Sequence, residues 1–578
     1  MSALSPLQFL PEHVVKLIVN HITGSSRVFS DGVRVNSPKY RMLLKPLLWV
    51  CHNFRAVAYS RYCNNFELNL SNLSFDDLDP RYLRTHRTDI DYRTLNYLGY
   101  STHRSAKDVT VFLDERAVYS GEALEMASRA PYDSCSFPLA RKIAFIFVKD
   151  ANGWVNEDVG IDPLIAGANI CDFVERIKQM APLVGEISVQ PVDNDDMLNV
   201  SNQYFGDLAS RLYQLACRIE YNYHCYPEDS MRLQLDTIRN LTHISTSTDP
   251  SIGNVDQFIQ LARKNALTLQ SLVLKCEQDI DILSLVRDAG GNHVTYPRLL
   301  TLKLWSESES EELKRPVFHG AAPFPLLQRL TISHQCLFDD DTFFRGNAAT
   351  LEWLDMQLDH SNASVLHKFK VFVPGSHPKL RVVKLSYSDD SVSELFASPA
   401  EVLQFVYRIG PGAAIREYTL AFNFDVPTTS LSSLGNYTCI QVLSLPSVSP
   451  VLWDVITLIK SLPLLSDLYT SLPKLGPIPD GVTMDELPEH VISNYAPMGR
   501  RFRCWHLNRG LGYNYTEAKT CVLLLLLALA CPNFDYATPP SIQRGLFMKR
   551  METEIYSDRF KSYAPRLRRL LFSGWSSC

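Results

Sequence analysis

The stretch Leu269-Gln270-Ser271-Leu272-Val273-Leu274 decides the fold, because its Leu-x-x-Leu-x-Leu spacing recurs along the chain. With conservative replacements, further copies begin at Leu299, Leu327, Leu351, Leu380, Ile415, Ile440 and Leu465. The middle residues of successive copies lie 24 to 35 residues apart. One copy would mean little in a Leu-rich chain, but eight consecutive copies at this spacing indicate a structural repeat.

The spacing predicts one short strand in each repeat. The last two apolar residues of a copy stand two positions apart, so they point to the same face of a strand. The residues between copies leave room for one helix and two loops. Helical spacing of apolar residues is found in Val255–Lys264 and in 400–409, each ahead of a strand motif. Such units bury their apolar side only by stacking, which predicts a continuous core and a parallel sheet.

Weaker copies extend the pattern upstream. They are Ala140-x-x-Ile143-x-Phe145, Val184-x-x-Ile187-x-Val189, Leu212-x-x-Leu215-x-Cys217 and Ile238-x-x-Leu241-x-His243. Several strong copies follow a proline with an aromatic or basic neighbour, as in Tyr296-Pro297-Arg298, Phe324-Pro325 and His377-Pro378-Lys379. The series resembles irregular leucine-rich repeats, although the Asn or Cys that closes many family repeats is mostly missing. The resemblance implies an α/β solenoid of horseshoe shape, with a parallel sheet on its concave face.

The amino-terminal segment has the features of a small helical module. Pro11 suits the first turn of a helix, Glu12 complements the positive helix end, and Val14, Val15 and Ile18 form an apolar stripe. A second run with apolar residues at helical spacing covers 43–62.

This segment resembles the F-box. The resemblance rests on Leu10-Pro11-Glu12 with the apolar stripe after it, and on Leu48-Trp49-Val50-Cys51-His52-Asn53-Phe54-Arg55. It implies that Leu10, Pro11, Glu12, Val14, Val15 and Ile18 contact a Skp-family adaptor, and through it a cullin. The sequence departs from the family in the long stretch 23–40 between the two halves, and in Phe54, where Trp is commoner.

A helical cap over the first repeat is the alternative for this segment, since the ends of a solenoid need covering. Leu487-Pro488-Glu489 repeats the same opening near the other end of the chain. Leu-Pro-Glu is therefore partly a general signal for the start of a helix. The expected organisation is an F-box-like helical module in 1–66, a connector or amino-terminal cap in 67–135, the repeat solenoid in 136–475 and a helical carboxyl-terminal cap in 476–578.

Composition excludes several classes of partner. The chain has 57 Lys and Arg against 62 Asp and Glu, a net charge of −5, so we expect no nucleic acid despite the basic runs at 500–503 and 566–569. The apolar run 521–531 would span about 16 Å as a helix, against about 30 Å for a membrane core, and predicts a buried helix. The start of the sequence has no export signal and no C-x-x-C pair occurs, which favours a cytoplasmic or nuclear protein.

No catalytic motif is present in the sequence, and we expect neither an enzyme nor a cofactor. Cys504-Trp505-His506 has no second ligand pair nearby, so no metal site is expected. The expected function is that of a substrate-receptor subunit of a Skp/cullin/F-box-type ubiquitin ligase, with a target held by the repeats. The alternative is a repeat scaffold with no role in ubiquitin transfer.

The target-binding residues are expected between the leucines of the repeat strands, where side chains point to the concave face. Exposed Trp and Arg most often anchor interfaces. The candidates are Lys303, Trp305, Arg329, Trp353 and Lys384. Either Trp could instead pack beneath a neighbouring loop. The acidic run 306–312 beside them reads as a solvated loop or as a phosphorylation cluster.

Overall fold

A computed structural model gives the fold of this chain as two compact units. The first comprises Met1–Ile280 with Arg287–Val294, and the second comprises Asp281–Val286 with Thr295–Cys578. The structure describes residues 14–15, 65–70, 106–128, 136–147, 162–191, 202–222, 235–248, 255–276, 280, 282–288, 290–306, 322–333, 346–358, 376–387, 414–421, 437–446, 450–470, 475–507, 518–534, 536–538, 544–568 and 570.

The first unit contains a parallel sheet whose strands follow one another in chain order. They are β1 (Asn65–Leu70), β2 (Asp108–Leu113), β3 (Lys142–Phe147), β4 (Glu186–Pro191), β5 (Arg218–Asn222), β6 (His243–Thr248) and β7 (Ser271–Cys276). Its helices are α1 (Glu115–Ser120), α2 (Glu122–Ser128), α3 (Pro163–Met180), α4 (Asn202–Tyr213) and α5 (Val255–Lys264). Parallel neighbours joined by helices are the expected arrangement of a solenoid-like repeat.

The second unit continues the same pattern. Its strands are β8 (Thr301–Ser306), β9 (Arg329–Ile332), β10 (Trp353–Leu358), β11 (Val382–Tyr387), β12 (Glu417–Ala421), β13 (Val442–Leu445), β14 (Asp467–Thr470), β15 (Cys504–Leu507) and β16 (Tyr536–Thr538). Its helices are α6 (Ile282–Val286), α7 (Leu452–Ser461), α8 (Leu487–Tyr495), α9 (Ala518–Ala530), α10 (Arg544–Ile555) and α11 (Ala564–Leu567).

The strand register confirms the repeat motif in the strong copies. Leu302, Leu330, Leu354 and Val383 are the middle residues of successive motifs, and each pairs directly with the next across the sheet. All four are buried, as are the final residues of the same motifs. Repeat spacing in the sequence therefore places a continuous ladder of apolar side chains on one face of the sheet.

A buried residue leads into many of these strands. Phe137, Tyr296, Phe324, His377 and Tyr437 each stand three residues before the first apolar residue of a motif. Every one is buried, and its carbonyl accepts a hydrogen bond from that apolar residue's N–H at 3.0 to 3.3 Å. The lead-in is thus a closed turn that packs a large ring into the core before the chain enters the sheet.

The described residues include a second kind of turn in each unit, formed by the five-residue sequence Asn-Ala-x-Thr-Leu. Its copies are Asn265-Ala266-Leu267-Thr268-Leu269 and Asn347-Ala348-Ala349-Thr350-Leu351. The two Thr hydroxyls donate at 2.7 and 2.8 Å to the carbonyl of the apolar residue that opens the preceding motif. Both Asn residues are buried. Such side-chain bonds join one repeat to its predecessor where the backbone leaves the helical side.

Two of the weaker upstream copies were predicted in the wrong register. In β6 the inward residues are Ile244 and Thr246, which pair with Leu272 and Leu274, so Leu241 opens the motif instead of standing in its middle. The cause is Ile238, which occupies the buried position three residues before the motif and, being aliphatic, resembles the first residue of a motif.

In β5 the inward residues are Ile219 and Tyr221 instead of Leu215 and Cys217. Leu212, which suggested the earlier start, belongs to the buried face of α4. The copies in β3 and β4 are confirmed, since Ile143 pairs with Ile187 and Phe145 with Val189.

Strands also occur outside 136–475. β1 and β2 precede this range, with Val109 and Val111 in the positions of the motif, and β15 and β16 follow it. Leu567 is the last residue of helix α11 and is buried. Parallel strands are therefore present on both sides of 136–475.

The helical predictions that fall within the described residues are confirmed. In α5 the residues Phe258, Ile259, Leu261 and Ala262 are buried along one face. In α9 every residue of 521–530 is buried, which explains why this helix has no polar side. The stretch 400–409 lies outside the described residues. None of the helices in the described parts of the chain has the length and apolarity that crossing a membrane requires.

Candidate functional site

The open face of the second unit's sheet carries all five predicted target-binding residues. The open face is the face of this sheet opposite the buried ladder, and it carries Lys303, Trp305, Arg329, Trp353 and Lys384. In β8 the alternation is complete, since Lys303 and Trp305 are partly exposed and the residues between them are buried. Arg329 is exposed, and Trp353 and Lys384 are half-buried. As strand alternation predicts, these side chains lie on the face opposite the buried ladder.

Trp353 is the centre of a cluster of cations. The Arg329 guanidinium carbon lies 5.9 Å from the centre of the Trp353 ring, and the Lys384 ammonium lies 4.8 Å from it. The three residues come from β9, β10 and β11, and the register pairs Trp353 with Arg329 directly. A second pair lies within β8, where the Lys303 ammonium is 5.7 Å from the Trp305 ring. We call these five residues the Trp353 cluster.

Two carboxylates border the Trp353 cluster. Lys384 Nζ lies 3.1 Å from Glu417 Oε1 on β12. Asp355, beside Lys384 in the register, is partly buried. Burial raises the pKa of Asp355, although the charges of Lys384 and Lys303 act in the opposite direction. Among the described residues of this face, three cations therefore lie beside two carboxylates, and burial holds one of these carboxylates less acidic than usual.

The outward positions of the first unit's strands carry a different set of side chains. Lys142 Nζ lies 2.6 Å from Glu186 Oε1 and 2.9 Å from Glu220 Oε2, so it forms ion pairs with two carboxylates of the same sheet. Burial lowers the pKa of Lys142, but the hydrogen bonds to both glutamates outweigh this and raise it. Phe112 and Ile146, at outward positions of β2 and β3, are buried. Among the outward strand positions that the structure describes, the second unit's open face is therefore the one on which cations lie over aromatic rings.

The predicted adaptor-binding residues fall almost wholly outside the described part of the chain. Leu10, Pro11, Glu12 and Ile18 are not described. Val14 and Val15 are helical, with Val15 buried and Val14 partly exposed.

The second Leu-Pro-Glu sequence does begin a helix, α8. Its start is preceded by reciprocal bonds between Thr483 and Glu486, in which the Thr483 N–H donates to Glu486 Oε2 at 2.9 Å. Hydrogen bonds from the Thr483 backbone and hydroxyl lower the pKa of Glu486. This arrangement of a hydroxyl and a carboxylate three residues apart is a capping box. The copy therefore supports a helix-start role for the motif and leaves adaptor binding as a separate question.

Cys504 and His506, for which the sequence showed no further ligand nearby, have a third potential ligand beside them in the structure. Asp467 on β14 pairs in register with Cys504 on β15, and His506 lies two residues further along β15. One potential ligand atom of each residue lies within 4.8 Å of those of the other two. The sequence signal for this third neighbour was Phe502-x-x-Trp505-x-Leu507, which has the repeat spacing with aromatic residues at its first two positions. Recognising it would have placed β15 next to β14 and Asp467 next to Cys504.

No protein-family model and no curated protein matches this chain.

Proposed function

We propose that this chain is a non-catalytic recruiting subunit that holds a protein target on the open face of its second unit. The observation that carries the proposal is the Trp353 cluster, in which one ring lies close to two cations on adjacent strands. Trp and Arg are the residue types most often found at the energetic centre of interfaces. A parallel sheet that presents such side chains at fixed spacing is a rigid platform for another chain.

The cluster favours a target with an acidic segment that also carries an aromatic or apolar residue. Lys303, Arg329 and Lys384 supply positive charge, and partly buried rings supply contact area at low entropic cost. The net charge of −5 for the whole chain argues against a general affinity for nucleic acid. Acidic peptides are accordingly the first class to test, and single-stranded nucleic acid is the comparison.

We further propose that the amino-terminal segment binds a Skp-family adaptor, so that the captured target is presented to a cullin-based ubiquitin ligase. The support is the resemblance of Leu10-Pro11-Glu12 and of the segment 48–55 to the F-box. The protein itself would carry out no bond chemistry. It would raise the concentration of target lysines near the transferring enzyme. A pure scaffold, with these helices only as a cap, is the alternative.

Site-specific photo-crosslinking tests the target-binding proposal. A photoreactive residue at Thr331 stands between Lys303 and Asp355 in the register of the sheet. The same residue at Thr457, exposed on helix α7, is the matched control. The proposal predicts a target crosslinked from position 331 and absent from position 457. Equal yields from both positions, or no product from 331, would contradict it.

Adaptor co-purification tests the second part of the proposal. The double change Leu10→Ala and Pro11→Ala should abolish capture of a purified Skp-family adaptor. Pro488→Ala, in the equivalent sequence of α8, is the matched control and should leave capture unchanged. An intact, folded chain that fails to bind the adaptor would refute this part and leave the scaffold alternative. The target-binding face would be unaffected by that outcome.

A further inference from the structure

Three side chains with different metal-binding groups meet at the start of β14 and β15. We propose that Asp467, Cys504 and His506 form a binding site for a divalent ion of the Zn²⁺ type. Their ligand atoms lie within 4.8 Å of one another, and all three residues are partly exposed, which leaves a path for an ion to enter. The proposal is independent of the target-binding and adaptor-binding functions, since it uses none of their residues.

The distances fit a tetrahedral centre after a small adjustment. Bonds of about 2.0 Å to nitrogen or oxygen and about 2.3 Å to sulfur place neighbouring ligand atoms of such a centre about 3.3 to 3.6 Å apart. Asp467 Oδ1 and His506 Nε2 are 3.5 Å apart, within this range. Because the separation limit is 4.8 Å, the sulfur must approach the other two ligand atoms by about 1.3 Å at most. Rotation of the Cys504 side chain supplies such a movement.

Neighbouring side chains hold two of the ligands in position. The Ser466 hydroxyl lies 2.6 Å from Asp467 Oδ2 and donates to it, which directs the other carboxylate oxygen, Oδ1, towards His506. Tyr469 stacks on the His506 ring, with the ring centres 4.1 Å apart and the planes 10° from parallel. Hydrogen bonds and packing of this kind orient metal ligands and raise affinity.

Trp505 fixes the strand that carries the other ligands. Its ring is fully buried, and its Nε1–H donates to Thr470 Oγ1 at 2.9 Å. Because successive side chains of a strand point to opposite faces, burying Trp505 places Cys504 and His506 together on the other face. The sequence Cys-Trp-His on β15 thus presents two ligands at once, and the parallel neighbour β14 supplies the third.

The chemistry of the set selects the kind of ion. A thiolate and an imidazole prefer Zn²⁺ or Co²⁺ to Mg²⁺ or Ca²⁺, which prefer oxygen ligands. Three protein ligands leave one position of a tetrahedral ion open to water or to a group from a partner. The alternative is an Asp467–His506 ion pair with the thiol as a bystander, which would bind no metal.

Titration of the chelator-treated full-length chain with Co²⁺ tests the proposal. The expected result is one Co²⁺ per chain, a near-ultraviolet charge-transfer band from the thiolate, and loss of that band when Zn²⁺ is added. Cys504→Ser should abolish the band, and Asp467→Asn or His506→Asn should weaken Co²⁺ binding by at least about 10-fold. Ser466→Ala should weaken it by about 10-fold while keeping all three ligands.

Cys439→Ser is the matched control, because Cys439 is a partly exposed thiol like Cys504 but lies outside the strands, three residues before β13. It should leave the Co²⁺ titration unchanged. Circular dichroism of each variant checks that the sheet is intact, and the Asn variants retain the thiol if Cys504→Ser fails to fold. Absence of the band from the intact chain at saturating Co²⁺ would overturn the proposal. So would a band that survives Cys504→Ser, or that survives both Asn variants with unchanged affinity.

Discussion

We expect His377 to make the stability of the second unit depend on pH. It occupies the buried lead-in position of β11 that Phe324 occupies at β9 and Tyr296 at β8, and only 2% of its surface is exposed. Burial lowers the pKa of His377 from 6.5 to about 4. Between pH 6.5 and about 4, the His377 imidazole is therefore protonated in the unfolded chain and neutral in the folded chain. The resulting stabilisation is complete above pH 6.5 and is lost as the pH falls towards 4.

The size of this effect follows from the two pKa values. Between pH 8 and pH 5 the unfolded chain gains most of a proton at this site and the folded chain gains little, which costs about 2 kcal/mol of unfolding free energy. His377→Phe should remove that cost, because Phe fills the equivalent position at β9 and has no charge to bury. The variant should thus be about 2 kcal/mol more resistant than the parent at pH 5, after subtraction of their difference at pH 8.

Urea unfolding of both chains at pH 8 and pH 5, followed by circular dichroism, measures this difference. His293→Gln, at an exposed histidine of the first unit, is the control and should retain the parent's pH dependence. Hydrogen exchange over 376–387 reports on β11 itself, since repeat units open locally. An equal loss of stability in the parent and in His377→Phe between the two pH values would refute the reasoning.

Two further predictions concern buried polar groups. Asn265→Ala should cost about 2 kcal/mol in urea unfolding, because Asn265 Oδ1 accepts from the buried Leu241 N–H at 3.0 Å, and the substitution leaves that donor unpaired; an unchanged midpoint would contradict this. Burial raises the pKa of Cys521 and of Cys531 to about 12, so both thiols should resist iodoacetamide at pH 8 in the folded chain, whereas the exposed Cys217 should react. Peptide mass spectrometry measures the alkylation of each cysteine. Alkylation of Cys531 as early as that of Cys217 would contradict this prediction.

The repeat strands could be predicted where one alignment of the motif fits the apolar residues better than any other. Leu302 and Leu330 were assigned the correct register because all three positions of their motifs are aliphatic and the buried residues that precede the motifs, Tyr296 and Phe324, are aromatic. At β6 the register was predicted wrongly, since Ile238 precedes Leu241 by the same three residues and is also buried. Spacing alone does not distinguish a core residue of a turn from the first residue of a strand motif.

The candidate sites show a similar division. Strand alternation placed Trp305 and Trp353 on the open face, because period two is a property of any strand. It did not indicate that Arg329 and Lys384 would both lie over Trp353, which depends on the parallel register of three strands. Asp467 and Cys504 were likewise far apart in sequence, and only the pairing of β14 with β15 brings them together.

The affinity of the crosslinked target for Trp353→Ala tests the central claim most directly. Truncating a residue at the centre of an interface typically costs about 2 kcal/mol or more, which corresponds to about 30-fold in Kd. Trp453→Ala, on helix α7 away from the open face, is the matched control. In the parent chain the Trp453 indole N–H donates to the Pro477 carbonyl at 2.7 Å. We expect Trp353→Ala to weaken target binding by about 30-fold with an unchanged circular dichroism spectrum, while Trp453→Ala keeps the parent affinity. Binding by Trp353→Ala at the parent affinity would contradict the account.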